Sequence, residues 1–254
     1  AYYLAIFAMV FGSTFGTFNT AHAVTLSGDA TQTTTGVTNG VDVIMSTHAL
    51  AITSTTDASP YLTLGELTAT TGNLSFITTA TASPTSFTID SFTASGTSNV
   101  LVTILNTSTK AQVVNVTGNL STLGTLGVTA GDASTDTSIL NIGGNLTAGA
   151  TTLTKDTATA TLAFNGATAQ SVTTVINGSG ANSGILNASN TSGGVTFNSA
   201  IGTTNTLTSI NVTTGTATFD AAIGAVASTI TGTATFGAAS AIPTVTIAAA
   251  GTTT

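Results

Sequence analysis

Residues Gly193–Gly224 read GGVTFNSAIGTTNTLTSINVTTGTATFDAAIG and contain one phrase twice. Thr196–Gly202 (TFNSAIG) returns 22 residues later as Thr218–Gly224 (TFDAAIG), and a shorter third copy, TFGAA, begins at Thr235. Sequence periods of about 20 to 26 residues are typical of a β-solenoid, in which each coil contributes short strands that stack on the next coil. The phrase therefore predicts stacked β-coils in the C-terminal half of the chain.

A second repeated word extends this pattern outward. Gly-Asn-Leu occurs at Gly72, Gly118 and Gly144, and the last two copies are 26 residues apart. Phe164–Ala167 (FNGA) is a fainter relative of the first phrase. These words predict that the repeat region begins before residue 193.

Short alternating segments indicate β-strands along the chain after residue 24, where no amphipathic helix is apparent. Ser86–Asp90, Thr233–Phe236 and Thr244–Ile247 alternate apolar and polar residues, which is the pattern of a half-buried strand. Val100–Leu105 (VLVTIL) is apolar except for Thr103 and predicts a strand buried on both faces. Turn signals separate the segments, at Asn39-Gly40, Gly143-Gly144, Asn165-Gly166, Asn177-Gly178 and Gly193-Gly194.

The expected fold is all-β, with a short apolar N-terminal segment at residues 1–23. Two architectures fit the strand pattern: a β-solenoid or β-helix-like stack, and a β-sandwich. Residues 111–254 form a repetitive β-rich region. Residues 24–110 form a β-rich region without a clear repeat, more typical of a sandwich or an irregular cap.

Charge is scarce in this chain. Charged residues make up 4% of it, with two Lys, nine Asp or Glu and a formal net charge of −7. A basic surface for nucleic-acid phosphates is therefore excluded. Like charges stacked at strand spacing (about 4.8 Å) repel one another, so a stacked fold favours Thr, Asn, Val and Ala over repeated charges.

Residues 1–23 (AYYLAIFAMVFGSTFGTFNTAHA) are typical of an exported protein. Ala1–Phe11 is an apolar run too short to span a bilayer, and Ala21-His22-Ala23 is an A-x-A cleavage signal. Two interpretations stay open. The segment is a signal peptide that is removed, or it is retained as an assembly segment after loss of a basic leader.

The repeats carry a resemblance to known proteins. Gly193–Gly224, and Leu162–Gly180 (LAFNGATAQSVTTVINGSG), resemble the repeat regions of large bacterial cell-surface proteins. These include rickettsial outer-membrane autotransporter passengers and related S-layer-like proteins. The resemblance covers about residues 160–240 and implies a β-helical, non-enzymatic protein of the cell surface.

Candidate sites for chemistry are few, and no catalytic or cofactor-binding residue is predicted. His22 and His48 are the two histidines, and neither has a partner at metal-ligand spacing. Asp132 and Asp136 are weak candidates for binding Ca²⁺. Lys110 or Lys155 is a weak candidate for an isopeptide bond to an Asn. The sequence has neither a Gly-x-Ser-x-Gly elbow nor a phosphate-binding loop.

Asn-x-Ser/Thr sequons are candidate glycosylation sites if the protein is exported. They lie at Asn73, Asn106, Asn115, Asn119, Asn145, Asn177, Asn187, Asn190 and Asn211. A chain this rich in Asn, Ser and Thr also generates sequons by chance.

The predicted function is structural. We expect an extracellular or cell-surface protein that self-assembles into a filament, sheath or S-layer through strand edges and flat, low-charge faces. Its expected partners are copies of itself and the cell envelope, with no small-molecule substrate and no enzymatic activity. The alternatives are an adhesin passenger domain, as a monomeric solenoid, and a phage tail-fibre-like protein.

Overall fold

The structure is a computed structural model that covers most of the chain after residue 23. It describes residues 24–32, 37–54, 62–79, 85–95, 102–107, 110–131, 137–155, 157–237, 244–247 and 252–253. The N-terminal segment 1–23, with His22, lies outside these ranges. Within them every regular element is a β-strand, and no helix capable of crossing a membrane is found there.

The strands are short and evenly distributed along the chain. They are β1 (Val24–Thr25), β2 (Ala30–Gln32), β3 (Val37–Ser46), β4 (Leu50–Ser54), β5 (Leu62–Ala69), β6 (Leu74–Thr78), β7 (Thr85–Ala94), β8 (Val102–Asn106), β9 (Gln112–Val116), β10 (Leu120–Ser121), β11 (Thr125–Thr129), β12 (Ser138–Ile142), β13 (Leu146–Thr154), β14 (Ala160–Phe164), β15 (Gln170–Gly178), β16 (Ile185–Ala188), β17 (Val195–Phe197), β18 (Leu207–Val212), β19 (Thr216–Phe219), β20 (Ala225–Ile230), β21 (Thr233–Phe236), β22 (Thr244–Ile247) and β23 (Thr252–Thr253).

The chain folds as a β-solenoid with three strand segments in each coil. Each segment pairs in parallel with the corresponding segment of the next coil, as in β9 with β12, β10 with β13, and β8 with β11. The coil thus has three faces, and long strands such as β7 and β13 bend from one face to the next.

We name the three faces by the residues they carry. The asparagine face consists of the first parts of β3, β5 and β7, followed by β9, β12, β14, β16, β18, β20 and β22. The threonine face consists of β1, the second parts of β3, β5 and β7, β10, the first parts of β13 and β15, and β17, β19, β21 and β23. The third face consists of β2, β4, β6, β8, β11 and the second parts of β13 and β15.

The core is formed by alternate residues that point into the coil. Strands β9 and β12 both alternate buried and half-buried residues, so that Val114 stacks under Leu140 and Val116 under Ile142. The buried apolar side chains of all three faces belong to one continuous cluster. Burial of this cluster is the main favourable contribution to folding, at roughly 25 cal/mol for each Å² of apolar surface removed from water.

The repeated phrase marks equivalent positions in successive coils. Phe197 pairs with Phe219, which pairs with Phe236, and a bridge joins Ile201 to Ile223. The offset of 22 residues is therefore the length of one coil at this point of the stack. This register confirms the prediction made from the phrase.

The sandwich alternative is wrong, including for residues 24–110. Strands there pair in parallel as they do later, for example β4 with β6 and β5 with β7. The stack continues across residue 110, because β7 pairs with β9 and β6 with β8. A sandwich needs antiparallel neighbours, and every strand pair in the described ranges is parallel.

Four phenylalanines form a ring stack inside the C-terminal coils. The rings of Phe197 and Phe219 lie 4.9 Å apart between centroids and are nearly parallel, at 5°. Phe236 continues the stack at 5.3 Å, and Phe164 packs edge-on against Phe197 at 5.4 Å. Phe164 belongs to the asparagine face, where it pairs with Ala188, so FNGA is not an in-register copy of the repeated phrase.

Buried amide side chains hold the bends between faces. The Gln170 amide nitrogen donates to the carbonyls of Ile142 (2.9 Å) and Gly144 (2.7 Å), and its oxygen accepts from the backbone of Gly166 (3.0 Å). Asn190, which is 0% exposed, donates to that same oxygen at 2.8 Å. These bonds satisfy backbone groups that the bends withdraw from the strand ladders.

Candidate interaction surface

The outward positions of the asparagine face form two rows that run along the stack. One row contains Ser86, Val113, Ile139, Thr161, Ile185, Ser209 and Ala227. The other contains Thr63, Thr88, Asn115, Asn141, Ala163, Asn187, Asn211 and Thr229. No charged residue stands in either row over these described coils.

Asparagine side chains on this face bond directly to their neighbours one coil away. The Asn141 amide donates to the Asn115 side-chain oxygen at 2.9 Å, and the Asn211 amide donates to that of Asn187 at 2.9 Å. An amide carries both a donor and an acceptor, so identical residues can pair along a stack. The amide pairs hold the outer surface of this face in a regular arrangement.

The threonine face presents mainly hydroxyl groups. Thr68, Thr93, Ser121, Thr147 and Thr173 occupy equivalent outward positions in five successive coils. Thr196, Thr218 and Thr235 form a second hydroxyl row in the later coils. β-Branched Thr fits such positions because it suits a pleated, half-buried surface.

Most of the charged side chains in the described ranges lie at the bends. Asp42, Glu66 and Asp90 lie between the asparagine and threonine faces in three successive coils, and all three are exposed. Lys110 and Lys155 lie at the opposite edge of the asparagine face, where the third face bends into it. Among the described residues, the asparagine face is therefore an uncharged strip with three acids along one edge and two lysines along the other. The connections at the second edge also contain four aspartates that lie outside the described ranges: Asp57, Asp132, Asp136 and Asp156.

Short side-chain acceptors at the bends bond to the next coil. The Asp42 carboxylate accepts from the backbone N–H of Glu66 at 2.8 Å. At the same bend, the Asn119 oxygen accepts from the N–H of Asn145, and the Asn145 oxygen from that of Ser171, both at 2.8 Å. These bonds explain the Gly-Asn-Leu word, because its Asn supplies the acceptor just before the strand resumes.

His48 lies next to one carboxylate. Its Nδ1 is 3.9 Å from an Asp29 oxygen, and that same oxygen accepts from the backbone of Ala49 at 2.8 Å. Asp29 is 79% exposed and His48 is 32% exposed, so water screens this contact. The Asp29 side chain thus performs the same bend-closing role as Asp42.

The predicted calcium ligands, Asp132 and Asp136, lie outside the described residues, so the calcium prediction stays a prediction. Among the described residues, no group of three or more His, Cys, Asp or Glu side chains is placed to hold a metal ion.

The sequons differ widely in exposure. Asn73, Asn119 and Asn145 are exposed, and Asn115, Asn177, Asn187 and Asn211 are half-buried. Asn106 and Asn190 are buried in the interior. The Asn106 amide nitrogen donates to the carbonyl of Lys110 at 2.6 Å, and that of Asn190 to the carbonyl of Thr168 at 2.6 Å. A glycan on either nitrogen is incompatible with these bonds and with this packing.

The sequence reasoning missed the row of acidic side chains along one edge of the asparagine face. The signal was present, since Asp42, Glu66 and Asp90 are each 24 residues apart. That spacing equals one coil, and it lies between the periods of 22 and 26 residues of the repeated words.

The fold and this surface define the described part of the chain as a β-solenoid whose asparagine face is uncharged and partly apolar. No protein-family model matches the sequence, and comparisons with curated proteins and with solved structures find no significant match.

Proposed function

We propose that the chain is a structural protein whose solenoid assembles laterally with copies of itself at the cell surface. One observation carries this proposal: the asparagine face is regular, partly apolar and uncharged from Thr63 to Thr229. An isolated soluble protein normally uses surface charge to keep copies apart, and this face has none to do so.

The exposed part of this face supports association over simple solvation. Val113, Ile139 and Ile185 are half-buried at outward positions, where a solvated strand would carry polar residues. The neighbouring Asn side chains already bond to one another, so their burial leaves fewer unmet hydrogen bonds. Association therefore removes aliphatic surface from water at a reduced polar cost.

The extracellular location rests on sequence. The A-x-A signal in residues 1–23 supports export, and the resemblance of residues 160–240 to surface-protein repeats supports a place on the cell envelope. The assembled product is a filament, sheath or S-layer.

Electron microscopy and sedimentation velocity of the purified chain test the proposal. Ordered filaments or lattices, with sedimentation that increases with protein concentration, are expected. Dispersed rods that remain monomeric at all concentrations would contradict it and favour the adhesin alternative.

A further inference from the structure

We propose that the interior of the solenoid binds an ordered water molecule at the bend where the third face meets the asparagine face. The site lies between the hydroxyl group of Thr78, at the end of β6, and the side-chain amide of Gln112, at the start of β9. Both residues are 0% exposed, so the site is independent of any contact between copies. Three features carry the inference: the buried polar lining of this bend, a hydroxyl group without a partner, and the space beside it.

The inner lining of this bend is polar in several successive coils. Its side chains stack in register, three at the end of the third face and three at the start of the asparagine face. Each of the six is 1% exposed or less: Ser54, Thr78, Thr85, Asn106, Gln112 and Ser138. Burying a polar group is unfavourable unless it is hydrogen-bonded, so each of these side chains requires a partner inside the coil.

One hydroxyl group in this lining lacks such a partner. Ser54 Oγ lies 3.3 Å from Thr85 Oγ1, and the Asn106 amide donates to two backbone carbonyls. Among the buried side-chain oxygen and nitrogen atoms of the described residues, only Thr78 Oγ1 makes no hydrogen bond. A buried hydroxyl left in that state lowers the stability of the folded protein.

The Gln112 amide has a spare donor close to this hydroxyl. Its nitrogen carries two N–H groups, and the described residues supply it with one acceptor, the carbonyl of Phe76 at 3.3 Å. Phe76 and Thr78 are two residues apart on β6, and both point into the core, about 6.6 Å from each other along the strand. The amide is therefore near Thr78 Oγ1 without bonding to it. A water between them can accept from the amide and bond to the hydroxyl.

A third partner for the water is at hand. Ser54 lies one coil below Thr78, and Thr85 lies one coil below Gln112. The hydroxyl oxygens of this pair carry additional lone pairs that can accept a hydrogen bond from the water. A buried water typically makes about three hydrogen bonds, which is the number that this arrangement offers.

The bend also provides space. Thr78 and Thr85 stand where the next coil carries the longer side chains of Asn106 and Gln112 in the same register. Protein interiors are closely packed, and a polar gap beside short side chains is filled by water, whereas an apolar gap stays dry. The lining at this level is polar, so water is the expected occupant.

The sign of a stability change tests the site. Val has the shape of Thr with a methyl group in place of the hydroxyl, so Thr78→Val removes one ligand of the water. The water and the Gln112 N–H group then lose a partner, and we expect the thermal midpoint to fall by about 2–4 °C. A dry hydroxyl gives the opposite sign, because the same substitution then removes an unsatisfied buried group.

Thr151→Val is the matched control. Thr151 is 1% exposed, and its hydroxyl bonds directly to that of Thr174 at 3.0 Å, so the substitution should lower the midpoint by a similar amount. Circular dichroism measures both variants at a protein concentration below that of association. A midpoint of Thr78→Val that is unchanged or raised relative to the unmodified chain would overturn the water site.

A crystal structure of the unmodified chain gives a direct observation that does not depend on the folding of a variant. We expect electron density for a water within about 3.2 Å of both Thr78 Oγ1 and the Gln112 side-chain nitrogen. A direct bond from the Thr78 hydroxyl to a protein atom, or no density between the two groups, would overturn the inference.

Discussion

The stack of phenylalanine rings predicts an energetic coupling between residues that are one coil apart. Phe197 is 1% exposed and contacts the rings of Phe164 and Phe219. Replacing it with Leu keeps an apolar side chain in the core but removes both ring contacts. At about 0.5–1.5 kcal/mol for each aromatic pair, Phe197→Leu should lower the free energy of unfolding by about 1–3 kcal/mol. Phe197→Ala, which also leaves a cavity, should cost about 3–5 kcal/mol.

A double-mutant cycle isolates the stacking contribution. Phe197→Leu combined with Phe219→Leu should show a coupling free energy of about 0.5–1.5 kcal/mol, since both substitutions remove the same ring contact at 4.9 Å. The matched control pairs Phe197→Leu with Phe76→Leu. Phe76 is also fully buried and lies against another ring, that of Phe87, but it is five coils away, about 24 Å.

Urea unfolding followed by far-ultraviolet circular dichroism measures these free energies, at a protein concentration below that of association. Sites so distant should be additive within about 0.5 kcal/mol. Equal denaturant slopes in all variants are required for the comparison, because a repeat stack can lose its cooperativity. Additive behaviour of Phe197 and Phe219, or coupling between Phe197 and Phe76 of the same size, would refute the register that places these rings in adjacent coils.

Three further substitution pairs test the bends and the outer rows. Asn190→Ala should lower the free energy of unfolding by about 2–3 kcal/mol in urea titration, because it removes two donated bonds and two bonds accepted from the backbone N–H groups of Ser192 and Gly194. Asn187→Ala, at a half-buried position, should cost about 1 kcal/mol or less. Gly202→Ala should strongly lower the thermal midpoint, because Gly202 has φ of 65° and an added Cβ would meet the carbonyl oxygen of Gly224. The control is Gly127→Ala, which should be tolerated because a Cβ at Gly127 would meet no neighbouring atom. Thr147 and Thr173 stack in adjacent coils, so two lysines placed there should repel each other. The double variant Thr147→Lys with Thr173→Lys should therefore lose about 0.2–1 kcal/mol more free energy of unfolding than the sum of the two single variants. This extra loss should shrink in high salt.

The sequence predicted the length of a coil most reliably where a repeated phrase places bulky residues in the core. Phe197 and Phe219 were correctly placed one coil apart, as were Leu120 and Leu146 of the Gly-Asn-Leu word. Gly72-Asn73-Leu74 misleads, because it lies at a different bend, before the third face. All three glycines of the word lie close to a backbone oxygen of the preceding coil, and such a close approach arises at more than one bend of the coil.

Burial was harder to predict than strand position. The run Val100–Leu105 suggested a strand buried on both faces, but in the described part of it Ile104 is buried while Thr103 and Leu105 are half-buried. Asn39-Gly40 suggested a turn and instead lies within β3, at a register shift. Both errors have one cause. The outer side of a solenoid strand tolerates aliphatic residues and bulges, so composition alone does not show which residues of the strand face the core.

The expectation that stacked coils exclude repeated charges holds only for the faces. Asp42 and Glu66 occupy adjacent coils at the bend between the asparagine and threonine faces, and both are exposed. At a bend the carboxylate side chains point into water. There the repulsion between two carboxylates about 5 Å apart is near 1 kcal/mol or less. The Asp42 carboxylate gains a backbone N–H bond from the next coil, which offsets that repulsion. On a flat face, a buried contact with a second copy would remove this water, and an unpaired charge there would become costly. In the described coils the scarcity of charge is thus a property of the faces. Under the proposed self-assembly, burial of a face against a second copy gives a reason for this scarcity in addition to the stacking of coils.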